Sequence, residues 1–386
     1  MNWQHTLMHV LGHPTLPLDL TAAPQDAQLQ NCRNFCLLLA KLGIPYKYYG
    51  ISGSKIPAGG ELIDCRKATG SWKYGNGWHR TYTRRLNRAL EQTLCQDKRP
   101  EWISSLYGAA QSDINSHDLP VIEPMLGYDH CWAPYRVFPS YAHQQVIYTR
   151  QNDDTWDTRF FDTVIPHFVD ESEFPFSEKH AGYLLYLGRN IPGKGVNLAR
   201  QCAEQCGLPL RLAFEGYYGR EKAELLGAAL AVLMPTLYLE PFGYVAIEAQ
   251  MCGTPVITTD WGAFPETVEQ AVSGFRCRTA AEFAEAVRLA SRLDRRRIRE
   301  QALARFSLDA IAESYAAYFA FVWNIHKNGG YYAKYALRKN FPLQASALPC
   351  LPQTGSTTSV NQNNGEILFE QRKAPTDTKK FHGNRL

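Results

Sequence analysis

Short apolar runs alternate with helix-like stretches over the second half of the chain, and this alternation constrains the fold more than any other feature. Tyr183 to Leu187 is an apolar run ending at Gly188, and a helical stretch from Val196 to Cys206 follows. Leu210 to Phe214 reads as the next strand and Ala229 to Met234 as another, before a helix from about Gly243 to Cys252 and a strand from Pro255 to Thr258. Strands this short and apolar are buried on both faces, the condition of a parallel sheet covered by helices. The layer pattern is therefore α/β.

The first half is less regular but similar. His5 to Leu11 reads as a strand ending at Gly12-His13-Pro14. The helix after it places Leu29, Cys32, Phe35, Cys36, Leu39 and Leu42 on one face, with Gly43 as its cap. Tyr46 to Tyr49, Leu62 to Cys65 and Leu119 to Pro124 are further candidate strands, and Tyr135 to Thr149 reads as a helix. Pro166, Pro175 and the polar run Ser177-Glu178-Lys179-His180 punctuate the chain between two such halves. The expected division is a first Rossmann-like domain over 1–168, a second over 169–310, a helical segment over 311–341 able to cross back to the first, and a disordered tail over 342–386 poor in apolar residues. Tyr315, Tyr318, Phe319 and Trp323 share one face of that helical segment and read as packing. Two doubly wound halves put the prime site in the cleft between them.

Composition narrows the function classes. With 45% hydrophobic and 20% charged residues the chain has ample core material, and its net charge of +4 is too small and too dispersed for a nucleic-acid binder. The ten cysteines contain no CxxC pair, so neither a zinc framework nor a thioredoxin-like motif is indicated. A reducing cytoplasm is the expected compartment. Met1 to Gly12 is too polar and too short for a signal peptide, and no apolar run approaches the roughly twenty residues of a membrane span. The expected protein is soluble or peripheral at a membrane.

Two motifs carry chemistry. Gly188-Arg189-Asn190-Ile191-Pro192-Gly193-Lys194-Gly195 lies between a strand and a helix and nearly matches the phosphate-cradling pattern GxxxxGK[ST]. Gly195 stands where a hydroxyl would hold magnesium, so the loop suits a diphosphate held by Arg189 and Lys194 without an obligatory metal. The plain alternative is a strand-to-helix turn with solvated cations. The second motif is Glu240-Pro241-Phe242-Gly243 leading into a helix with Glu248, followed by Gly253-Thr254-Pro255. Gly243 lets a ligand approach unpaired helical amides, and two carboxylates at such a mouth can accept hydrogen bonds from vicinal hydroxyls. Taken singly, Glu248 reads as a dipole partner and Glu240 as a solvated loop acid.

Glu240 and Glu248, with Gly253-Thr254-Pro255 after them, resemble the signature of family 4 retaining glycosyltransferases of GT-B fold. Arg189 and Lys194 match that family's diphosphate-binding pair, and Asp260-Trp261-Gly262, Pro265-Glu266 and Ser273-Gly274-Phe275 match its later turns. The likeness is strong from about Tyr183 to Cys277 and mostly architectural before that. It implies two facing Rossmann-like domains and a nucleoside-diphosphate sugar as donor, with no obligatory cofactor or metal. Glu240, Arg189 and Lys194 would take catalytic roles, and Gly188, Phe242, Gly243, Tyr244, Glu248 and Tyr217 would bind the donor. The acceptor, a glycan, lipid or small molecule, would enter from the first domain, where His13, Glu123 and His130 are candidates. His13 and His130 read equally as structural, and Glu123 as a turn cap. One departure stands out: Gly216-Tyr217-Tyr218-Gly219 follows Phe214 almost directly, where family members carry a further sheet unit that helps hold the base.

Two other classes remain at this point, a P-loop-like nucleotide hydrolase, which Gly195 disfavours, and a catalytically silent GT-B protein that binds carbohydrate or a partner. Arg80, Arg84 and Arg88, with Arg85 beside them, recur along a helix and read as a solvated face, or as peripheral contact with an acidic acceptor or anionic membrane. Arg295, Arg296, Arg297 and Arg299 read as surface, and Asp153-Asp154 as a polar loop.

Overall fold

The computed structural model describes residues 3–66, 73–94, 99–151 and 159–330. The expected tail, 342–386, and the Asp153-Asp154 turn lie outside them.

Seven strands build the first sheet, in the order β3-β2-β1-β4-β5-β6-β7 and parallel throughout. They are β1 (Leu7–Leu11), β2 (Tyr46–Gly50), β3 (Gly60–Asp64), β4 (Glu101–Ser105), β5 (Val121–Glu123), β6 (Tyr135–Phe138) and β7 (Thr163–Val164). Helices α1 (Ala27–Lys41), α2 (Gly77–Thr93) and α3 (Tyr141–Gln151) belong to this half. The chain runs outward from β1 to β3 and then returns to the other side of β1 at β4, so the strand order reverses between β1 and β4.

The second sheet has five parallel strands in the order β12-β11-β10-β8-β9. These are β8 (Leu184–Leu187), β9 (Leu210–Ala213), β10 (Ala231–Met234), β11 (Val256–Thr259) and β12 (Gly274–Cys277), wound with α4 (Val196–Cys206), α5 (Gly219–Gly227), α6 (Tyr244–Met251), α7 (Phe264–Thr267) and α8 (Ala280–Ala290). Here the order reverses between β8 and β10. Every residue of β10 and β11 is buried, as expected for central strands of a parallel sheet covered on both faces. Beyond the second sheet, α9 (Arg295–Phe306) leads into α10 (Leu308–Lys327), which packs on the core of the first half. Phe319 meets Phe35, Trp102 and Trp3 edge-on or tilted, and the Tyr315 hydroxyl accepts a bond of 3.2 Å from the Met125 amide.

The fold departs from the sequence expectation at two places and contains one strand that the sequence did not suggest. The expected helix over 135–149 is a strand and a helix, because Pro139 and Ser140 break the run and Tyr135–Phe138 is buried at every position. Strand β4 carries Glu101, Ser104 and Ser105 in the interior, a polar content that hides it from an apolar-run criterion. The basic run on α9 is not all surface: Arg295 donates to the carbonyls of Ser177, Ala229 and Gly227, and Arg299 to that of Phe174. Those guanidiniums pair otherwise orphaned loop carbonyls. The eight described cysteines are free thiols.

Candidate functional site

In open parallel sheets the crevice outside the carboxyl ends of the strands, where strand order reverses, is the place where ligands meet the backbone. In the first sheet that crevice lies beyond β1 and β4, hence at Gly12-His13 and Leu106-Tyr107. In the second it lies beyond β8 and β10, at Gly188-Arg189 and Pro235-Thr236. One cleft of about 840 Å³ is lined from both: by Gln28, Tyr107 and His130 on one wall and by Arg189, Lys194 and Glu240 on the other.

The loop after β8 is shaped by a short 3-10 turn, Pro192–Lys194, and by Gly195 at φ +70°. A Cβ at Gly195 would overlap the Pro235 carbonyl, so glycine is required there twice, by backbone sign and by space. The Leu237 amide donates to the Gly193 carbonyl at 2.8 Å, zipping this loop to the segment that ends at Glu240. Lys194 Nζ consequently lies 2.6 Å from Glu240 Oε2 and 5.0 Å from the Tyr238 ring centroid. Burial opposes charge on Lys194, but the Glu240 carboxylate more than offsets it and holds the ammonium above its ordinary range. Arg189 is exposed at the mouth and has no ion-pair partner among the described residues.

Gly243, at φ +87°, turns the chain into α6 with the side of its Cα against the Phe264 ring. Tyr244 then crosses to the first half. Its hydroxyl donates to Asn31 Oδ1 at 2.5 Å, and its ring lies face to face with His167, centroids 5.2 Å apart and planes 4° from parallel. His167 is enclosed, with Phe242 edge-on at 4.9 Å, and burial lowers its pKa to about 3. Nearby, the Ser140 hydroxyl donates to the Pro241 carbonyl at 2.6 Å, and Glu266 accepts the first amides of α3, from Tyr141 at 2.9 Å and Ala142 at 3.0 Å. A carboxylate at a helix N-terminus satisfies free donors and the dipole together.

Of the residues singled out from sequence, Arg189, Lys194, Glu240, Gly188, Phe242, Gly243, Tyr244 and His130 line the cleft together. Glu248, Tyr217, His13 and Glu123 do not. Glu248 is buried and paired with Lys222 at 2.6 Å, and Tyr217 packs on the second-half core. Glu123 accepts the Trp132 and Ala133 amides at 2.6 and 2.8 Å and the Tyr128 hydroxyl at 3.0 Å, which makes it the cap of the loop that carries His130. Burial raises its pKa to about 7 in spite of those donors. His13 sits behind the wall: Nδ1 accepts the Thr15 and Leu16 amides, and the ring abuts Tyr107 edge-on at 4.4 Å. Tyr107, Tyr238 and His167 line the cleft but were not singled out; their places at strand ends and in the linker are the signal that points to them.

Residues 177–305 match the family model of "Glycosyl transferases group 1". They form a group 1 glycosyl transferase domain. The matched span runs from just before β8 through α9 and so contains every cation and carboxylate of the second wall. A glycogen synthase of Mycobacterium tuberculosis is 32% identical over 33% of this chain, and the match takes in 39% of that protein's length. Solved structures extend the likeness beyond the transferase domain to the first half. A glycosyltransferase involved in avilamycin A biosynthesis superposes with a TM-score of 0.59 at 20% identity, over 82% of this chain and 98% of its own. An Anabaena protein solved in complex with UDP-glucose gives 0.55 at 15% identity, over 82% and 99%. The architecture of two Rossmann-like parallel sheets is thus the GT-B fold. Among the described residues no helix is long and apolar enough to cross a membrane.

Proposed function

We propose that this protein is a glycosyltransferase that moves a hexose from a nucleoside-diphosphate sugar to an acceptor hydroxyl, with retention of anomeric configuration. The observation that carries the reading is the position of Arg189 and Lys194 at the strand-order reversal of the glycosyl transferase domain, facing a cleft shared with the first half. The domain match and the fold shared with a protein solved with UDP-glucose support it.

On this reading the diphosphate lies against the loop 188–195, where Arg189 supplies a planar donor fork and Lys194 a point charge. In the transfer step the acceptor oxygen bonds to the anomeric carbon while the bond from that carbon to the diphosphate oxygen breaks. The acceptor proton passes to the departing diphosphate, so attack and departure share one face and configuration is kept. Negative charge grows on the diphosphate as the bond breaks, and fixed cations there stabilise the transition state by several kcal/mol, about the magnitude seen for preorganised donors. Glu240, beside Lys194, would accept sugar hydroxyls and favour positive charge at the anomeric carbon. The Phe242 and Gly243 amides, at the entry to α6, would add neutral donors.

A second reading, a silent GT-B binding protein, draws on one feature: Lys194 and Glu240, a cation and a carboxylate of the cleft, pair with each other within the chain at 2.6 Å. Nucleoside diphosphates and their sugars should be screened by thermal shift, followed by chromatography of donor and products. A donor that raises Tm and is consumed supports the transferase. A donor that raises Tm but is not consumed even with acceptor sugars supplied supports the silent protein, and a shift from none of them defeats the transferase.

A further inference from the structure

Helix α2 carries a charge pattern that the cleft does not use. Its apolar face, Trp78, Tyr82, Leu86 and Leu90, is buried in the first half. The opposite face is exposed and cationic, with Arg80, Arg84, Arg85 and Arg88 set against a single carboxylate of the helix, Glu91. Arg80, Arg84 and Arg88 recur every fourth residue, so they stand in one row about 12 Å long. Like charges four apart on a helix repel and weaken it, so the row does not serve the stability of the fold. Arg80 donates to the Gly75 carbonyl and Arg85 to that of Arg66, whereas Arg84 and Arg88 have no hydrogen-bond or ion-pair partner among the described residues.

A second observation bears on what the row meets. The three arginines line a groove of about 460 Å³ together with Thr83, Asn87, Glu91 and Asp113, and none of these side chains is an apolar anchor of the kind on which protein interfaces depend. Asp113 is already engaged, accepting the Tyr74 hydroxyl at 2.9 Å and the Ser112 hydroxyl at 3.3 Å. That bond holds Tyr74 beside the row with its ring tilted on His79 at 4.8 Å and its side chain 55% exposed, the situation of a tyrosine at the level of lipid headgroups. All strands of the first sheet are parallel, so the end of β3 from which the chain passes to α2 lies on the cleft side of the sheet.

We propose that this face docks the protein on an anionic membrane surface, with lipid phosphates along the row of Arg80, Arg84 and Arg88 and Tyr74 among the headgroups. Guanidinium forks meet phosphate oxygens in pairs, and each cation within a screening length of an anionic leaflet adds to binding without any need for a shaped partner. The contact is peripheral, since no described helix is long and apolar enough to cross a membrane. The proposal goes beyond the glycosyl-transfer reading and does not depend on it.

The test sediments the full chain with vesicles of phosphatidylglycerol and phosphatidylcholine in equal parts, and with vesicles of phosphatidylcholine alone. The wild type is expected to bind only the first, and to be released when salt rises from about 0.1 to about 1 M and the screening length falls from about 10 to about 3 Å. Arg84→Gln with Arg88→Gln removes two unpaired cations from an exposed face; Tm should hold while vesicle partition falls about thirtyfold. Arg292→Gln with Arg297→Gln removes the same charge from exposed positions beyond the second sheet and should leave partition within about twofold. Equal binding to both vesicles, binding to neither, undiminished partition in Arg84→Gln with Arg88→Gln, or the same loss in both double variants would overturn the proposal. Capture of soluble polyglutamate through Arg84 and Arg88 by a protein that leaves the anionic vesicles unbound would also overturn it and assign the face to an acidic polymer. None of these outcomes touches the reading of the donor site.

Discussion

Lys194 Nζ and Glu240 Oε2 lie 2.6 Å apart on the floor of the cleft, with side chains 18% and 12% exposed. The two residues that the sequence motifs assign to different parts of a donor hold each other. Breaking one side of a largely enclosed pair leaves the other charge uncompensated. Glu240→Gln should therefore free Lys194 for phosphate: affinity for the nucleoside diphosphate is expected to stay equal or rise up to about tenfold, while sugar transfer falls at least about a hundredfold. Titration calorimetry with the diphosphate and initial-rate transfer read the two effects separately. Weaker diphosphate binding in this variant would show that the pair acts as a unit.

Gly195→Ala should be far more costly than its size suggests. The residue has φ +70° and its Cβ would strike the Pro235 carbonyl, so the loop 188–195 must move away from the segment ending at Glu240. A loss of about 3 kcal/mol or more is expected in denaturant unfolding, with diphosphate binding lost at protein concentrations where the fold persists. Retention of both would mean the loop is not held as described.

The contact from Tyr244 to Asn31 joins the transferase domain to α1 of the first half. Tyr244→Phe keeps the stack on His167 and removes the hydroxyl. A stability loss of about 1 kcal/mol is expected, visible as a lower Tm, since Asn31 Oδ1 loses its phenolic donor. No change in Tm would place that bond outside the balance of the folded state.

Acid should destabilise the protein through buried histidines. Burial lowers the pKa of His13 to about 4, of His143 to about 4 and of His167 to about 3, from 6.5. Asp26 partly opposes the shift at His13, and Asp129 does so at His143, where Arg150 adds to the lowering. The folded chain keeps these rings neutral while the unfolded chain takes up protons below pH 6.5, so their contribution is present above 6.5 and lost as pH falls toward 4. Glu123 acts in the opposite sense, since its folded pKa of about 7 lies above 4.5 and its contribution is lost as pH rises through 7. Three imidazoles outweigh one carboxyl. Unfolding free energy should decline by about 2 kcal/mol per pH unit near pH 5.5, and His143→Gln should shrink that slope by about 1.4 kcal/mol per unit. A flat profile from pH 7 to 5 would contradict the neutral burial of these rings.

The second half was readable in the sequence because β8 and β10 are apolar throughout and its turns carry glycines at points where the backbone demands them, as at Gly195. The first half was not, for reasons visible in single residues. Strand β4 buries Glu101 against His9 at 3.0 Å and Ser105 against Gln111 at 3.0 Å, partners that no local pattern reveals. Missing β4 also hid Tyr107, which is placed only by knowing where that strand ends. The roles read for Glu248 and Glu123 came from spacing and strand-end position. Their actual neighbours, Lys222 in one case and the 128–133 loop in the other, come from elements that meet only in three dimensions. Periodicity found the elements, but it carried no information about which polar groups would satisfy one another.

The most direct measurement is titration calorimetry of the wild type, Arg189→Ala and Lys194→Ala with the nucleoside diphosphate that gives the largest thermal shift, run with a chelator present. Binding by the wild type is expected to survive chelation and to weaken at least about tenfold in each variant, the loss of one charge-assisted contact to phosphate. Equal affinity in all three proteins, or no binding by the wild type, would contradict the placing of a diphosphate at Arg189 and Lys194.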